Sequence, residues 1–258
     1  MHLIDNYAYG NRLRRVDPAF KASLSGMILI LCLTLNSPLV GIVSVLWMAT
    51  LAVWLASIPS KVFGQALLAE FGFFLFATAG VAISVTLVSP LSVNPWALRI
   101  GPLWLSTGPS ALQDAFLIIS RVMGCVAAMN FLALTTPAVD LIALAQRLHI
   151  PDTLVDLMTV IYRYIFVLFE TMERMRKSQD SRMGYVNFKR GTTSVALLAT
   201  RLFIETYQRS RQLQIALEAR GYESGDLRTL PESYRPDQRL LWLGLAATMS
   251  LFLVWMAG

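Results

Sequence analysis

Two arginines close long helical stretches in nearly the same sequence setting. One lies in Asp180-Ser181-Arg182-Met183-Gly184-Tyr185, the other in Leu217-Glu218-Ala219-Arg220-Gly221-Tyr222, 38 residues further on. Each arginine is expected in the last turn of a helix, followed by a glycine and a tyrosine. Glycine takes the left-handed cap position without steric cost, and a cation complements the negative end of the helix dipole. Ordinary capping therefore accounts for either site alone. The repetition on two cationic helices opens a second reading. A guanidinium at a helix tip presents a planar fork of donors that can enter a groove on another protein and form paired hydrogen bonds there.

Other reactive groups are few. The chain has no Gly-x-x-x-x-Gly-Lys-Ser/Thr loop, so it is not expected to bind ATP in the usual phosphate-loop manner, and hydrolysis must come from partners. His2 and His149 are its only histidines. His2 could hold a metal with a free terminal amine, but no histidine-rich loop accompanies it, and no metal site is expected. His149, just before Pro151, reads as a helix-end residue. Cys32 and Cys125 sit in apolar runs, where a thiol behaves as a small hydrophobe. Asp152 and Asp156 share one helical face, too small a cluster for metal-assisted phosphoryl chemistry. Arg121 interrupts an apolar run and is expected to pair with Asp114, two turns down the same face, or with a partner subunit.

The elements that carry these groups are set by an excess of apolar residues. Of 258 residues, 55% are hydrophobic and 15% charged, against about 25% charged in soluble domains. The excess comes in blocks. Leu39–Ile58 and Phe71–Val88 contain no charge, and each approaches the roughly 20 apolar residues that cross a bilayer core. Both lie too far into the chain to be a cleaved signal peptide. Further spans are expected from near Phe20 to Leu35, over Leu112–Leu134 and over Leu240–Met256. The first is short and must extend toward Lys21, whose side chain could snorkel to the interface. Between residues 89 and 111, four prolines (Pro90, Pro95, Pro102, Pro109) and two glycines (Gly101, Gly108) break any helix.

Most charges of either sign lie between residues 137 and 238. The expected fold is therefore all-α: a polytopic membrane protein with about five transmembrane helices and a water-facing helical insert. Residues 1–136 hold four spans, 137–238 the insert and 239–258 the last span. Basic residues mark the cytoplasmic side, which puts the N-terminus, the Lys61 turn and the insert inside and the C-terminus outside. No basic domain with interleaved aromatics is present, so the lipid bilayer rather than nucleic acid is the expected environment. The insert reads as a short amphipathic helix over Pro137–His149, a long one over Asp152–Met183 and another over Thr193–Arg220. Leu198, Leu202, Leu213 and Leu217 line the apolar side of the last. The apolar part Leu154–Phe169 either lies at the inner leaflet or forms a sixth span. Met158, Met172, Met175 and Met183 give a soft surface, or simply fill a helix interface.

Several short strings, in order along nearly the whole chain, carry a resemblance. They are Ile4-Asp5-Asn6-Tyr7-Ala8-Tyr9, then Arg15-Val16-Asp17-Pro18 with Lys21, then Leu134-Thr135-Thr136-Pro137 through Leu148-His149-Ile150-Pro151, and the two arginine ends. With the membrane topology, they resemble the transmembrane T components of energy-coupling-factor (ECF) transporters, and most closely the cobalt-type branch, CbiQ. The resemblance implies a non-catalytic subunit of an ATP-driven importer in a bacterial plasma membrane. Its implied partners are two ATP-binding cassette ATPases, which hold ATP and Mg, and a substrate-binding membrane subunit. It implies that Ala219-Arg220-Gly221 and Ser181-Arg182-Met183 are the paired motifs that dock into the ATPases. The second departs from the usual Ala-Arg-Gly, with its glycine one residue later. Cobalt is the implied substrate, with nickel or a vitamin as alternatives. Two other classes compete: a permease with its own substrate path, which needs polar residues meeting across several spans, and an intramembrane lipid-modifying enzyme.

Overall fold

The computed structural model describes residues 7–82, 84–86, 96–100, 103–107, 109–221, 234 and 238–257. His2, the string Ile4–Asn6, Tyr222, and Pro90, Pro95, Pro102, Gly101 and Gly108 lie outside them. The described residues form eight main helices and one small sheet, in two compact units.

The first unit comprises Met1–Pro137 and Glu232–Gly258. Its helices are α1 (Pro18–Thr34), α2 (Pro38–Thr50, continued by a π-helical turn to Leu55), α3 (Ser60–Ala82), α4 (Pro109–Thr135) and α8 (Gln238–Ala257). Proline at the first position starts α1 and α2 where no backbone donor is needed. Asp17 caps α1 by accepting from the Ala19 N–H at 3.0 Å. Four helical stretches are long and apolar enough to cross a membrane: Pro38–Leu55, Ser60–Thr78, Ala111–Thr135 and Arg239–Met256. Pro18–Thr34 is a shorter apolar helix.

Helix α4 is the hub of this unit, in contact with α1, α2 and α3. Its crossing with α2 is made by two glycines. A Cβ on Gly41 would overlap the Ser120 carbonyl, and one on Gly124 would come within 3.2 Å of the Gly41 backbone. Between membrane helices, such close backbone approach replaces the hydrophobic drive that lipid removes. Side-chain hydrogen bonds complete the fastening. Ser25 Oγ donates to the Ala128 carbonyl at 2.7 Å, and Asn130 Nδ2 donates to Glu70 Oε2 at 2.7 Å. Cys32 is buried beside Ser44, with its sulfur 3.0 Å from Ser44 Oγ, and both cysteines are free thiols.

Two expectations need correction here. Lys21 does not snorkel: it is wholly buried, and its Nζ donates to the carbonyls of Leu13 (3.2 Å) and Thr135 (3.1 Å). Hydrogen bonding inside the bundle replaces the water that an ammonium would otherwise seek. The third span is Ser60–Thr78, not Phe71–Val88, so Glu70 lies within it rather than before it. Beyond that helix, Ser84–Thr86 (β1) is extended and joins Trp96–Ile100 (β2) and Leu103–Thr107 (β3) in an antiparallel sheet of order β1-β3-β2. Leu105 pairs with Val85 on one side and Leu98 on the other.

The second unit is Ala138–Pro231. It contains α5 (Ala138–Arg147), α6 (Asp152–Asp180) and α7 (Phe188–Ala219). Three helices were expected in the insert, and the last begins at Phe188 rather than Thr193. At 1.5 Å per residue, α6 is about 43 Å long and α7 about 48 Å.

Candidate functional site

The two arginine ends share a backbone conformation as well as a sequence pattern. At the end of α6, the Met183 N–H donates to Asp180 O at 2.9 Å and the Gly184 N–H to Gln179 O at 2.9 Å. This paired closure is the Schellman pattern, which needs a left-handed residue to turn the chain. Met183 fills that position, at φ 57°. At the end of α7, the Gly221 N–H donates to Glu218 O at 3.0 Å, and Gly221 is left-handed at φ 67°. Arg182 and Arg220 therefore each stand immediately before the left-handed residue. The expectation that Gly184 would supply the left-handed cap is overturned. Its lack of a side chain serves another purpose: a Cβ there would lie 2.7 Å from Ser194 Oγ and 2.9 Å from Gln179 O.

That close approach locks the corner between α6 and α7. Ser194 Oγ donates to Gly184 O at 2.9 Å, Gln179 Nε2 donates to Ser194 O at 3.1 Å, and Tyr185 Oη donates to Gln179 Oε1 at 2.6 Å. An apolar groove lined by Tyr185, Val186, Phe188, Val195 and Ala199 adjoins it. Phe188 is 90% exposed and Met183 67%. Residues 181–204 carry Arg182, Lys189, Arg190 and Arg201 and no acidic residue.

Ser181, Arg182, Met183, Ala219, Arg220 and Gly221 are all exposed. The structure does not bring the two arginines together. Arg182 lies at the α6–α7 corner and Arg220 at the far end of α7. The left-handed closure is not confined to them, since His149 ends α5 in the same way (φ 58°). What distinguishes the other two ends is the exposed arginine before the turn.

Arg121 and Glu70, two charged groups within the spans, are bonded by neighbouring helices. Arg121 does not pair with Asp114. Its Nε donates to Cys32 O at 3.1 Å and its Nη2 to Leu33 O at 2.8 Å, so the guanidinium closes the C-terminal carbonyls of α1. A cation there also meets the negative end of the helix dipole. Glu70, bonded to Asn130, was missed because one carboxylate depresses an apolar window enough to move its boundary. Asp156 is buried and Asp152 exposed, so these two carboxylates do not share an open face.

The model of the CbiQ family, described as cobalt transport protein, matches residues 10–231. This chain belongs to the CbiQ family. The match takes in both arginine ends and bears out the resemblance to ECF transmembrane components. An uncharacterized protein of Methanocaldococcus jannaschii is 30% identical over 256 residues, covering 99% of this chain and 92% of that protein. Cobalt transport protein CbiQ of Salmonella typhimurium is 28% identical over 224 residues, 85% of this chain and 96% of that one. The energy-coupling factor transporter transmembrane protein EcfT of Staphylococcus aureus is 28% identical over 156 residues, 56% of each chain. The CbiQ relationship gives the helical membrane unit and the exposed arginine ends one context, that of a transport component.

Proposed function

We propose that this CbiQ-family chain is the coupling subunit of an ATP-driven ECF-type importer, passing motion from two ATPases to a substrate-binding membrane subunit. The observation that carries this reading is the pair of exposed arginines, each before a left-handed turn, one at the α6–α7 corner and one at the far end of α7. Two similar tips at different helix ends suit two copies of one partner better than a single groove. ATP and Mg reside on those ATPases. Cobalt is the proposed substrate, since the family is described by cobalt transport. In this reading the N-terminus and the second unit are cytoplasmic, and the basic corner at residues 181–204 faces the ATPases.

Against a permease with its own path, Arg121 and Glu70 are each engaged by neighbouring helices rather than aimed at a shared channel. The test is purification of the complex through this chain, with its ATPases identified, followed by ATP-dependent uptake of radiolabelled Co²⁺ into proteoliposomes. Association with two ATPase subunits and uptake that requires ATP are expected. Uptake by the chain alone would overturn the reading.

A further inference from the structure

Thr135 ends α4, and its carbonyl is closed by side chains from the first 21 residues of the chain. Lys21 Nζ reaches it at 3.1 Å and Asn11 Nδ2 at 3.1 Å. Asn11 Nδ2 also lies 3.3 Å from the Leu134 carbonyl and 2.7 Å from that of Ala8. A cationic donor at a helix C-terminus is among the stronger neutralisers of the carbonyls left open there. The surroundings are buried: Lys21, Pro18, Thr135 and Pro137 are all less than 2% exposed. Two strings far apart in the chain, Asp17-Pro18 with Lys21 and Leu134 to Pro137, thus meet in one buried joint.

The position of this joint matters because the chain leaves the membrane unit through it. Helix α4 runs into α5 across Thr136–Pro137. Proline lacks the N–H that would continue the α4 ladder, and it disfavours helical backbone in the residue before it. Lys21 and Asn11 fasten the last carbonyls of α4 immediately before that break.

We propose that Lys21, assisted by Asn11, is a positioning residue for energy coupling. It ties the end of α4 to α1, so that a displacement of the end of α4 carries α1 with it. This inference rests on the coupling function proposed above.

The test uses the complete complex of this chain, its ATPases and its substrate-binding subunit in proteoliposomes, with radiolabelled Co²⁺ as the probe. Lys21→Met keeps an apolar chain of similar length but donates nothing. Asn11→Ala removes the second donor from a half-buried site. Both variants are expected to assemble with the ATPases and to hydrolyse ATP within about twofold of wild type. Co²⁺ taken up per ATP should fall about tenfold for Lys21→Met and less for Asn11→Ala, within the usual span of coupling free energies. Wild-type uptake per ATP in both variants would overturn the inference. So would loss of assembly in both, or a parallel fall in uptake and hydrolysis, since each marks a merely structural role. The unmodified complex separates the two levels of argument: if its uptake ignores ATP, the coupling reading itself fails.

Discussion

Met183 and Gly221 hold the same left-handed backbone, at φ 57° and 67°, each one residue after an exposed arginine. Only one of them does so without strain. A residue with a Cβ pays about 1–2 kcal/mol to occupy this region. Met183→Gly should therefore raise the thermal stability of the purified chain by about 1 kcal/mol, less what glycine costs in chain entropy. Gly221→Ala should lower it by a similar amount. Melting curves in detergent check both signs; a destabilised Met183→Gly would mean that the methionine side chain, not the turn, sets the geometry.

Arg182 and Arg220 should matter more to partners than to this chain. Losing a capping cation costs about 0.3–1 kcal/mol of helix stability. Truncating a buried charged contact at an interface costs about 2–5 kcal/mol. The Arg182→Ala, Arg220→Ala double variant is thus expected to express and insert normally but lose ATPase association by several orders of magnitude, at about 1.4 kcal/mol per factor of ten. A pull-down of the ATPases, run beside Co²⁺ uptake, reads both. Normal uptake would return the two residues to the status of helix caps.

The Glu70–Asn130 pair predicts an inversion between single and double variants. Asn130→Leu leaves a carboxylate without its 2.7 Å donor inside a span, a loss of about 1–3 kcal/mol or more for a charged group. Replacing both by leucine removes the orphan along with the bond. The double variant should be more stable than Asn130→Leu alone, as a thermal-shift cycle would measure. Additive losses would mean that the two side chains act independently.

At the α2–α4 crossing, Gly41→Ala should force the helices apart, because the new Cβ meets backbone rather than a movable side chain. Overpacking of this kind costs about 1–3 kcal/mol. Gly64 on α3 has open space around it, and Gly64→Ala should be neutral or slightly stabilising. Comparing folded yield and melting temperature of the two variants tests the difference.

The isolated chain should show no saturable ATP binding, because its sequence contains no phosphate-cradling glycine-lysine loop. Equilibrium binding with labelled nucleotide checks this, and affinity in the range of an ATPase would count against a purely coupling role.

The helical architecture was legible because apolar blocks and charged blocks are segregated along the chain, and each long block exceeds what a soluble helix needs. The arginine ends were legible as repeated local strings. What local reading missed has a common physical cause, dependence on distant partners. Glu70 enters α3 because Asn130, sixty residues later, supplies a donor. Lys21 stays buried because the end of α4 offers a carbonyl. Met183 takes the strained cap because Gly184 must make room for Ser194 on the following helix. The prolines and glycines before α4 signalled a break in helix, but not that Trp96–Ile100 and Leu103–Thr107 would pair across it.

Because α4 holds so many of these partners, the order of synthesis constrains how the membrane unit can be made. Ser25, Glu70 and Lys21 belong to helices that leave the ribosome before Ala128, Asn130 and Thr135 exist. A nascent chain that has reached only residue 108 contains α1 to α3 without the groups that will hold them. Until α4 arrives, those three helices depend on lipid headgroups, water or the insertion machinery for hydrogen bonds that the finished protein supplies internally. Correct assembly of this unit therefore waits on the fourth long helix.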